Sequence, residues 1–184
     1  ASTSSAYGLQ QHEEFSEDLG SDRPLSPYAS SKKAAEVLTY TYHNFYGIDT
    51  TVFRYFTVYG PAGRPDMSVF RFIRWIDQGL PVRVFGDGTQ RRDFTFVDDI
   101  ARGTVAGLAN VGYELINLGN NKPATLLELI AIIEEHLGKQ ANIAFESPNA
   151  LDVPTTWADI AKARALLNWE PQTNLRDGIG KAID

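Results

Sequence analysis

The sequence predicts an α/β protein, because short runs of strand-forming residues alternate with helical stretches along all 184 residues. Runs rich in β-branched and aromatic residues, such as Thr50 to Phe56, are followed by turn-forming residues. The helical stretches carry start and stop signals, such as the serine at position 26 and the glycine at position 47. No internal repeat, low-complexity tract or flexible linker interrupts the alternation.

The first quarter of the chain predicts a strand end, a loop and a long helix. Residues 1–8 are expected to be a strand end that runs into a loop, and the polar, acidic residues 9–26 predict a surface loop. Pro27, preceded by a capping serine, is typical of a helix entry, and the helix is expected over Tyr28–Tyr46, where Gly47 ends it. One stripe of this helix is apolar, which is most often a core-facing pattern, and consists of Ala34, Leu38, Tyr42 and Phe45.

The remaining elements are predicted from the same signals. Strands are expected at Thr50–Phe56, Val82–Phe85, Arg92–Val97, Tyr113–Leu118 and Asn142–Phe145. Helices are expected from Ser68 to Leu80, from Asp98 to about Asn110, from Thr125 to Gly138, from Asp159 to Leu167 and from Leu175 to Ile183. Asp98 and Asp159 are expected to cap two of them, and Thr125 with Glu128 predicts a capping box.

The composition excludes several function classes. The net charge of −6 argues against nucleic acid as a bulk partner, although it leaves room for a local basic pocket. No apolar run approaches the roughly 20 residues of a membrane-spanning helix. The chain has no cysteine, which fits a reducing compartment such as the cytoplasm, and its three histidines are scattered without ligand spacing, so no metal site is expected.

Tyr28 and Lys32 are the most informative pair in the sequence. They are four residues apart on a predicted helix and therefore share one face, so the Lys32 ammonium would stabilise the phenolate form of Tyr28. A hydroxyl-rich segment, residues 2–5, precedes them and could bridge the phenolate to a substrate oxygen. Because the Tyr-x-x-x-Lys pattern also occurs by accident on helix surfaces, the interpretation depends on the rest of the chain.

Further motifs extend this pattern almost from end to end. They are Ser2-Thr3 through Tyr7-Gly8, Pro27-Tyr28-Ala29-Ser30-Ser31-Lys32, Arg54-Tyr55-Phe56-Thr57-Val58-Tyr59-Gly60-Pro61, Phe85-Gly86-Asp87-Gly88, Arg92-Asp93-Phe94, Val97-Asp98-Asp99 and Trp157-Ala158-Asp159-Ile160-Ala161-Lys162-Ala163. Taken together and in order, they resemble the C-terminal two-thirds of an extended short-chain dehydrogenase/reductase of the NAD-dependent nucleotide-sugar epimerase/dehydratase family.

The resemblance implies the arrangement of the chain. It implies an incomplete Rossmann-type parallel sheet, whose N-terminal half is expected to lie outside these residues, and a small α/β substrate domain. Residues 1–60 would complete the dinucleotide-binding domain and carry the catalytic helix. Residues 61–184 would mainly bind substrate, with residues 93–118 returning to the Rossmann sheet. The resemblance also implies a homodimer whose interface includes the helix that carries Tyr28.

The resemblance also assigns roles in a reaction. Tyr28 would take the proton of the sugar 4-hydroxyl while hydride leaves C4 for NAD, and the 4-keto sugar would then receive the hydride on its other face. Lys32 would also bind the nicotinamide ribose, Thr3 would be the catalytic hydroxyl, and Tyr55 is expected to be near the cofactor. The chain lacks a glycine-rich dinucleotide turn, so we expect that it cannot hold NAD and is inactive alone.

The substrate is expected to be a UDP-sugar. After Thr3 the chain has Ser4 and Ser5, where dehydratases of the family look to have an acid and a base, and serine hydroxyls are unsuited to eliminating water at neutral pH. This difference favours simple epimerisation, unless another carboxylate takes the place of that pair in space. Thr57 and Arg64 resemble the branch that acts on UDP-glucuronate, in which they would grip a C6 carboxylate together with the serines.

The UDP half would contact a second group of residues. By the resemblance, Val84 and Phe85 form a platform beside uracil, Arg92 contacts the phosphates, and Asp152 meets a ribose hydroxyl or is only a turn residue. Three alternatives stay open at this point: a UDP-glucose/galactose epimerase, a UDP-glucuronate decarboxylase, and a UDP-sugar-binding module without catalysis.

Overall fold

The computed structural model describes residues 1–109, 111–148 and 153–183 and has the predicted α/β architecture. Its strands are β1 (Ser2–Thr3), β2 (Thr50–Tyr55), β3 (Thr57–Tyr59), β4 (Val82–Phe85), β5 (Arg91–Arg92), β6 (Phe94–Phe96), β7 (Tyr113–Leu118), β8 (Ala124–Thr125) and β9 (Ile143–Glu146). Its α-helices are α1 (Pro27–Tyr46), α2 (Ser68–Asp77), α3 (Val97–Ala106), α4 (Leu126–Leu137), α5 (Ala161–Leu167) and α6 (Leu175–Ile183). None of the helices in these ranges is both long and apolar enough to cross a lipid bilayer.

A parallel sheet positions the first part of the chain. Its strand order is β1-β2-β7, so β2 lies between a strand from the start of the sequence and one from its middle. The register pairs Ser2 with Arg54 and Thr3 with Tyr55. Because all three strands are parallel, their carboxyl ends meet at one edge, which is where ligands bind in open α/β sheets.

The other strands form three small pairs. β3 pairs with β6 and β4 with β9, both in parallel, whereas β5 pairs with β8 in antiparallel fashion. The single strand predicted over Arg92–Val97 is therefore two strands in the structure. Asp93 lies between them, and its buried carboxylate accepts the backbone N–H groups of Asn120, Asn121 and Ala158.

Two hydrophobic clusters pack the described part of the chain. One lies between α2, α4 and α6 and includes Phe72, Ile76, Phe94, Ile133 and Ile179. The other packs against the parallel sheet and includes Tyr7, Phe53, Ile116, Leu118 and Trp169. The predicted domain limits at residues 60 and 61, with 93–118 returning to the first domain, stay a prediction.

The helix ends show which local signals were correct. The Thr125–Glu128 capping box is confirmed, with both of its hydrogen bonds present, and Gly47 ends α1 in the left-handed conformation. The predicted cap at Asp98 is wrong, because α3 begins at Val97 and places Asp98 within its first turn. Asp159 precedes α5 by two residues, and its carboxylate accepts the N–H of Ala161.

Two burial predictions are wrong. The loop over residues 9–26 is not purely a surface loop, because Phe15 is buried and its N–H donates to the Trp157 carbonyl at 2.7 Å. The apolar stripe of α1 does not face a core among the described residues, since Phe45, for example, is 75% exposed. The buried residues of α1 are instead Ala29 and Glu36.

Candidate active site

A cleft of about 600 Å³ opens at the carboxyl edge of β1 and β2, beside the first turns of α1. Its lining brings together eight predicted site residues: Thr3, Ser4, Ser5, Tyr28, Lys32, Tyr55, Thr57 and Arg64. These residues come from strands, one helix and loops that are far apart in the sequence, so it is the fold that unites them. Among the described residues that line this cleft, none is an aspartate or a glutamate.

Tyr28 and Lys32 lie on the same face of α1 because they are four residues apart in a helix that begins at Pro27. Pro27 is the first helical residue, and the Ser26 hydroxyl accepts the N–H of Ala29 at 3.2 Å, which fixes the first turn. The Tyr28 side chain is 53% exposed. The Lys32 ammonium donates to the carbonyl of Ala1 at 3.1 Å, which links the helix to the start of β1.

Thr3 ends β1 at the floor of the cleft. Its side chain is buried, and its hydroxyl oxygen accepts the N–H of Ser5 at 3.2 Å. The Thr3 hydroxyl also donates to the Ser5 hydroxyl at 3.3 Å, while Ser4 is half-buried and Ser5 is exposed. The segment therefore presents a row of hydroxyl groups to the cleft.

Arg64 approaches from the loop between β3 and α2. Its guanidinium donates to both carboxylate oxygens of Asp66, at 3.1 Å and 2.5 Å. These hydrogen bonds raise the pKa of Arg64 above its ordinary value and lower the pKa of Asp66 below its own. The loop starts at Gly60 with a φ of 156°, and a Cβ there would come within 2.5 Å of Val97, so the close approach requires glycine.

The residues predicted to hold UDP are spread over neighbouring surfaces. Arg92 lines a smaller cleft of about 260 Å³ that shares Ser4, Ser5 and Thr57 with the first. Phe85 is partly exposed and lines a third depression, whereas the Val84 side chain is buried in the α2–α4–α6 cluster, so only its backbone is available to a ligand. Asp152 lies outside the described residues.

The sequence analysis missed a buried charged group directly under the cleft. Glu36 and Arg54 form an ion pair at 2.7 Å, and the Ser2 hydroxyl donates to Glu36 at 2.5 Å. Burial opposes ionisation of Glu36, but the hydrogen bonds from Arg54 and Ser2 and the Arg54 charge outweigh it, so the pKa of Glu36 lies below its ordinary value. An arginine within the otherwise strand-forming run of β2 was the signal that could have revealed this group.

Arg54 also lies over the Tyr7 ring, with its guanidinium carbon 4.3 Å from the ring centroid. Burial raises the pKa of Tyr7 to about 12, although the nearby Arg54 charge opposes the rise. The Tyr7 hydroxyl therefore stays protonated at neutral pH and donates to the side-chain oxygen of Asn117 at 2.7 Å. No group of three His, Cys, Asp or Glu residues with metal-binding geometry occurs within the described ranges.

Comparison with known proteins identifies the family to which this fold and cleft belong. The model of the NAD dependent epimerase/dehydratase family matches residues 1–119, so the chain belongs to this family. The whole chain aligns with the UDP-glucuronate 4-epimerase of Thermodesulfobacterium geofontis at 56% identity and covers 57% of that protein. It also aligns with UDP-glucuronate 4-epimerase 1 of Arabidopsis thaliana at 42% identity and covers 47% of it.

Solved structures share the fold. The UDP-glucuronic acid 4-epimerase of Bacillus cereus in complex with UDP-glucuronic acid and NAD matches the whole chain at 44% identity and a TM-score of 0.94. The UDP-glucose 4-epimerase of Thermotoga maritima with UDP-glucose matches 99% of the chain at 30% identity and a TM-score of 0.93. The chain covers 59% and 60% of these two proteins.

Proposed function

We propose that this chain forms the catalytic helix and the sugar cleft of an NAD-dependent UDP-sugar 4-epimerase that interconverts UDP-glucuronate and UDP-galacturonate. The observation that carries the proposal is the single cleft shared by Thr3, Tyr28, Lys32 and Arg64. The relatives named as UDP-glucuronate 4-epimerases, at 56% and 42% identity, support the same substrate.

Tyr28 is the proposed general base. Its exposed phenol can reach a sugar hydroxyl in the cleft, and Lys32 lies one turn further along the same helix face and lines the same cleft. Thr3 would donate to or accept from the same substrate oxygen and so orient it. NAD, when bound, supplies the hydride acceptor for sugar C4. Tyr28, Lys32 and Tyr55 are the residues of this chain that would lie against it.

The reaction class is supported by the polarity of the cleft lining. Elimination of water from the 4-keto sugar needs an acid and a base beside the reacting carbons. The lining residues described in the structure include hydroxyls, one lysine and one arginine but no carboxylate, and the pair after Thr3 is Ser4 and Ser5. Return of the hydride to the opposite face is therefore the outcome that this lining favours.

Specificity for a uronate is proposed to come from Arg64, Thr57 and the two serines. Arg64 already holds a carboxylate, that of Asp66, through two parallel hydrogen bonds, and its exposed position at the cleft rim would let it turn toward another anion. Thr57, Ser4 and Ser5 lie where this cleft adjoins that of Arg92. We propose that Arg92, Phe85, the Val84 backbone and Asp152 contact the UDP half.

The remaining contacts to NAD are proposed to come from outside these residues. The donor and acid–base groups of Lys32 and Tyr28 fit the nicotinamide riboside end of the cofactor, but no glycine-rich turn for its pyrophosphate occurs in the sequence. The 184 residues alone are therefore proposed to be inactive. The exposed apolar stripe of α1 is the proposed homodimer face, and a cytoplasmic location remains our expectation.

A chimeric enzyme tests the proposal. The 184 residues replace the matching segment of the Thermodesulfobacterium geofontis enzyme, and the purified chimera is incubated with UDP-glucuronate and NAD while the products are separated by anion exchange. We expect UDP-galacturonate from the chimera and none from the 184-residue chain alone. A UDP-pentose would identify a decarboxylase, and conversion of UDP-glucose alone would identify the other epimerase class. UDP binding without any conversion would favour a non-catalytic module.

A further inference from the structure

A buried ion pair lies under the candidate cleft, and together with Ser2 it connects α1, which carries Tyr28, to β1, which carries Thr3. Glu36 on α1 is 4% exposed and Arg54 on β2 is 1% exposed. Arg54 donates to the two Glu36 oxygens through Nε at 2.8 Å and Nη2 at 2.7 Å. Ser2 on β1 donates to Glu36 Oε1 at 2.5 Å, so a helix and two strands meet at one carboxylate.

Each member of this group is next to a residue of the cleft. Glu36 lies one turn after Lys32 and two turns after Tyr28, on the same face of α1. Ser2 immediately precedes Thr3, and the strand register places Ser2 opposite Arg54 and Thr3 opposite Tyr55. A shift of the Glu36 carboxylate would therefore move the helix that carries Tyr28 relative to the strand that carries Thr3.

We propose that Ser2, Glu36 and Arg54 are positioning residues that set the distance between the Tyr28 phenol and the Thr3 hydroxyl. This inference rests on the proposed function, because it assigns the geometry of the same catalytic groups. Glu36 and Arg54 do not line the cleft. Ser2 does line it, but its hydroxyl donates to Glu36. All three act through Tyr28, Lys32 and Thr3.

Stability alone does not explain a buried ion pair at this position. Removal of two charges from water carries a desolvation penalty that their attraction only roughly offsets, and apolar residues of similar volume often stabilise a fold as well. A bidentate ion pair contributes a defined orientation, because the planar guanidinium and the carboxylate fix each other's position. Reaction rates depend steeply on such orientation, and a misplacement of about 1 Å can cost about 100-fold.

The surroundings hold Arg54 in one orientation. Its Nη2 also donates to the Ser21 hydroxyl at 2.9 Å, and the Lys33 ammonium donates to the same hydroxyl at 2.6 Å. On its other side the guanidinium lies over the Tyr7 ring. The ion pair is thus anchored to the loop over residues 9–26 and to the segment that follows Thr3, so the helix has one favoured position.

Ser2→Ala is the most selective test, because it removes the hydrogen bond from Ser2 on β1 to Glu36 on α1 and leaves the Arg54–Glu36 ion pair in place. In the chimeric enzyme we expect kcat to fall about tenfold or more. We expect the KM for UDP-glucuronate and the affinity for NAD to stay within about twofold, because no ligand contact is removed. Ser2→Thr, which keeps a hydroxyl, is expected to recover most of kcat.

Asp99→Asn provides the matched control. Asp99 is also a buried carboxylate that accepts two backbone N–H groups, from Gln172 at 3.1 Å and Thr173 at 2.9 Å, but it belongs to α3 and does not line the cleft. We expect Asp99→Asn to lower Tm at least as much as Ser2→Ala while kcat, measured well below Tm, stays within about twofold. Equal losses of kcat in the two variants would mean a merely structural role and would overturn the inference.

Hydrogen exchange of the 184-residue chain gives a readout independent of catalysis. Ser2→Ala is expected to speed amide exchange in the first turns of α1 about tenfold, with no such change in Asp99→Asn. Unchanged exchange there, or a kcat of Ser2→Ala within twofold of the unmodified chimera, overturns the inference. An unmodified chimera that leaves UDP-glucuronate unconverted overturns the proposed function instead, and the exchange data then still decide whether Ser2 positions the helix.

Discussion

Arg64 donates hydrogen bonds to both carboxylate oxygens of Asp66 at the rim of the cleft that Tyr28 also lines. Both side chains are largely exposed, and they are only two residues apart in the same loop. The guanidinium thus already makes the two-pronged contact that it would make with a C6 carboxylate. If Arg64 binds the uronate as proposed, the substrate must compete with Asp66 for its guanidinium.

Asp66→Asn is expected to favour the substrate in this competition. Because exposed ion pairs contribute little, the KM of the chimeric enzyme for UDP-glucuronate should fall by less than about fivefold, while the KM for UDP-glucose, if that sugar is turned over at all, should not change. Initial rates at varied substrate concentration measure both constants. An increased KM for UDP-glucuronate would contradict the idea of competition and would mean that Asp66 holds Arg64 in its productive orientation.

Arg64→Ala and Arg92→Ala are expected to separate recognition of the sugar from recognition of the diphosphate. Arg64→Ala should weaken binding of UDP-glucuronate by about tenfold or more and leave binding of UDP itself unchanged, because UDP has no uronate carboxylate. Arg92→Ala should weaken both to a similar degree. Calorimetric titration with UDP and with UDP-glucuronate measures the four affinities, and a loss of UDP binding in Arg64→Ala would refute the assignment.

Tyr28→Phe is expected to abolish catalysis without unfolding the protein. Removal of a general base costs about 100-fold to 10,000-fold in kcat. The side chain is 53% exposed, so Tm should change little. Tyr42→Phe is the matched control, because Tyr42 is on the same helix at 52% exposure and does not line the cleft. If the Tyr28→Phe variant kept more than about a tenth of the kcat of the unmodified chimera, Tyr28 would not be the base.

Glu36 is expected to make stability depend on pH. Its pKa is lowered in the folded chain, because the hydrogen bonds from Arg54 and Ser2 and the charge of Arg54 outweigh the effect of burial. In mildly acidic solution the unfolded chain therefore binds more protons at this site than the folded chain, so stability rises with pH. The contribution is fully present above the ordinary glutamate pKa of about 4.3 and is lost as the pH falls through the lower folded value.

Glu36→Gln isolates this contribution. At pH 7 the variant should lose about 3–5 kcal/mol of unfolding free energy, because the buried Arg54 charge is left without its partner. The difference in unfolding free energy between the unmodified chain and the variant should become smaller as the pH falls below about 4.3. Urea unfolding at several pH values measures this difference. A difference in unfolding free energy that does not depend on pH would contradict the role given to ionised Glu36.

Local sequence signals predicted most of the secondary structure. The wrong burial predictions concern residues whose environment depends on contacts that are distant in the sequence. The Thr125 capping box and the Gly47 stop involve residues within one or two turns, so the sequence pattern alone identified them. The burial of Phe15, in contrast, depends on a backbone bond to Trp157, and no pattern within residues 9–26 could have indicated it.

The candidate site shows the same division. The cleft residues were found through motifs, each recognisable within a few positions, and the fold brings eight of them together. The Glu36–Arg54 ion pair joins residues that are 18 positions apart. Its structural role depends on the burial of both side chains, which the sequence does not reveal. Two interpretations of the α1 stripe were open, a core face and a dimer face. The core interpretation is wrong, because periodicity shows that a face is apolar but not what covers it.

Two glycines of α6 are expected to respond in opposite ways to alanine. In a helix interior, Gly→Ala normally stabilises by about 1 kcal/mol. A Cβ on Gly178 would lie 2.1 Å from the hydroxyl of Tyr59 and 3.1 Å from Phe96, both of which are buried. Overpacking of this kind costs about 1–3 kcal/mol, so Gly178→Ala should lower the free energy of unfolding.

Gly180→Ala, two residues further along the same helix, should be neutral or slightly stabilising. The contact of its Cβ would be with the ring of His136 at 3.0 Å. This ring is exposed and is held by one hydrogen bond, between its Nε2 and the carbonyl of Arg176 at 2.9 Å, so it can shift more easily than a buried side chain. For a chain of this size, 1 kcal/mol corresponds to about 2–4 °C in Tm, so thermal unfolding of the two variants resolves the difference. Equal Tm values would mean that Tyr59 yields as easily as His136, and that the packing of α6 against β3 and β6 is looser than the contacts at Gly178 indicate.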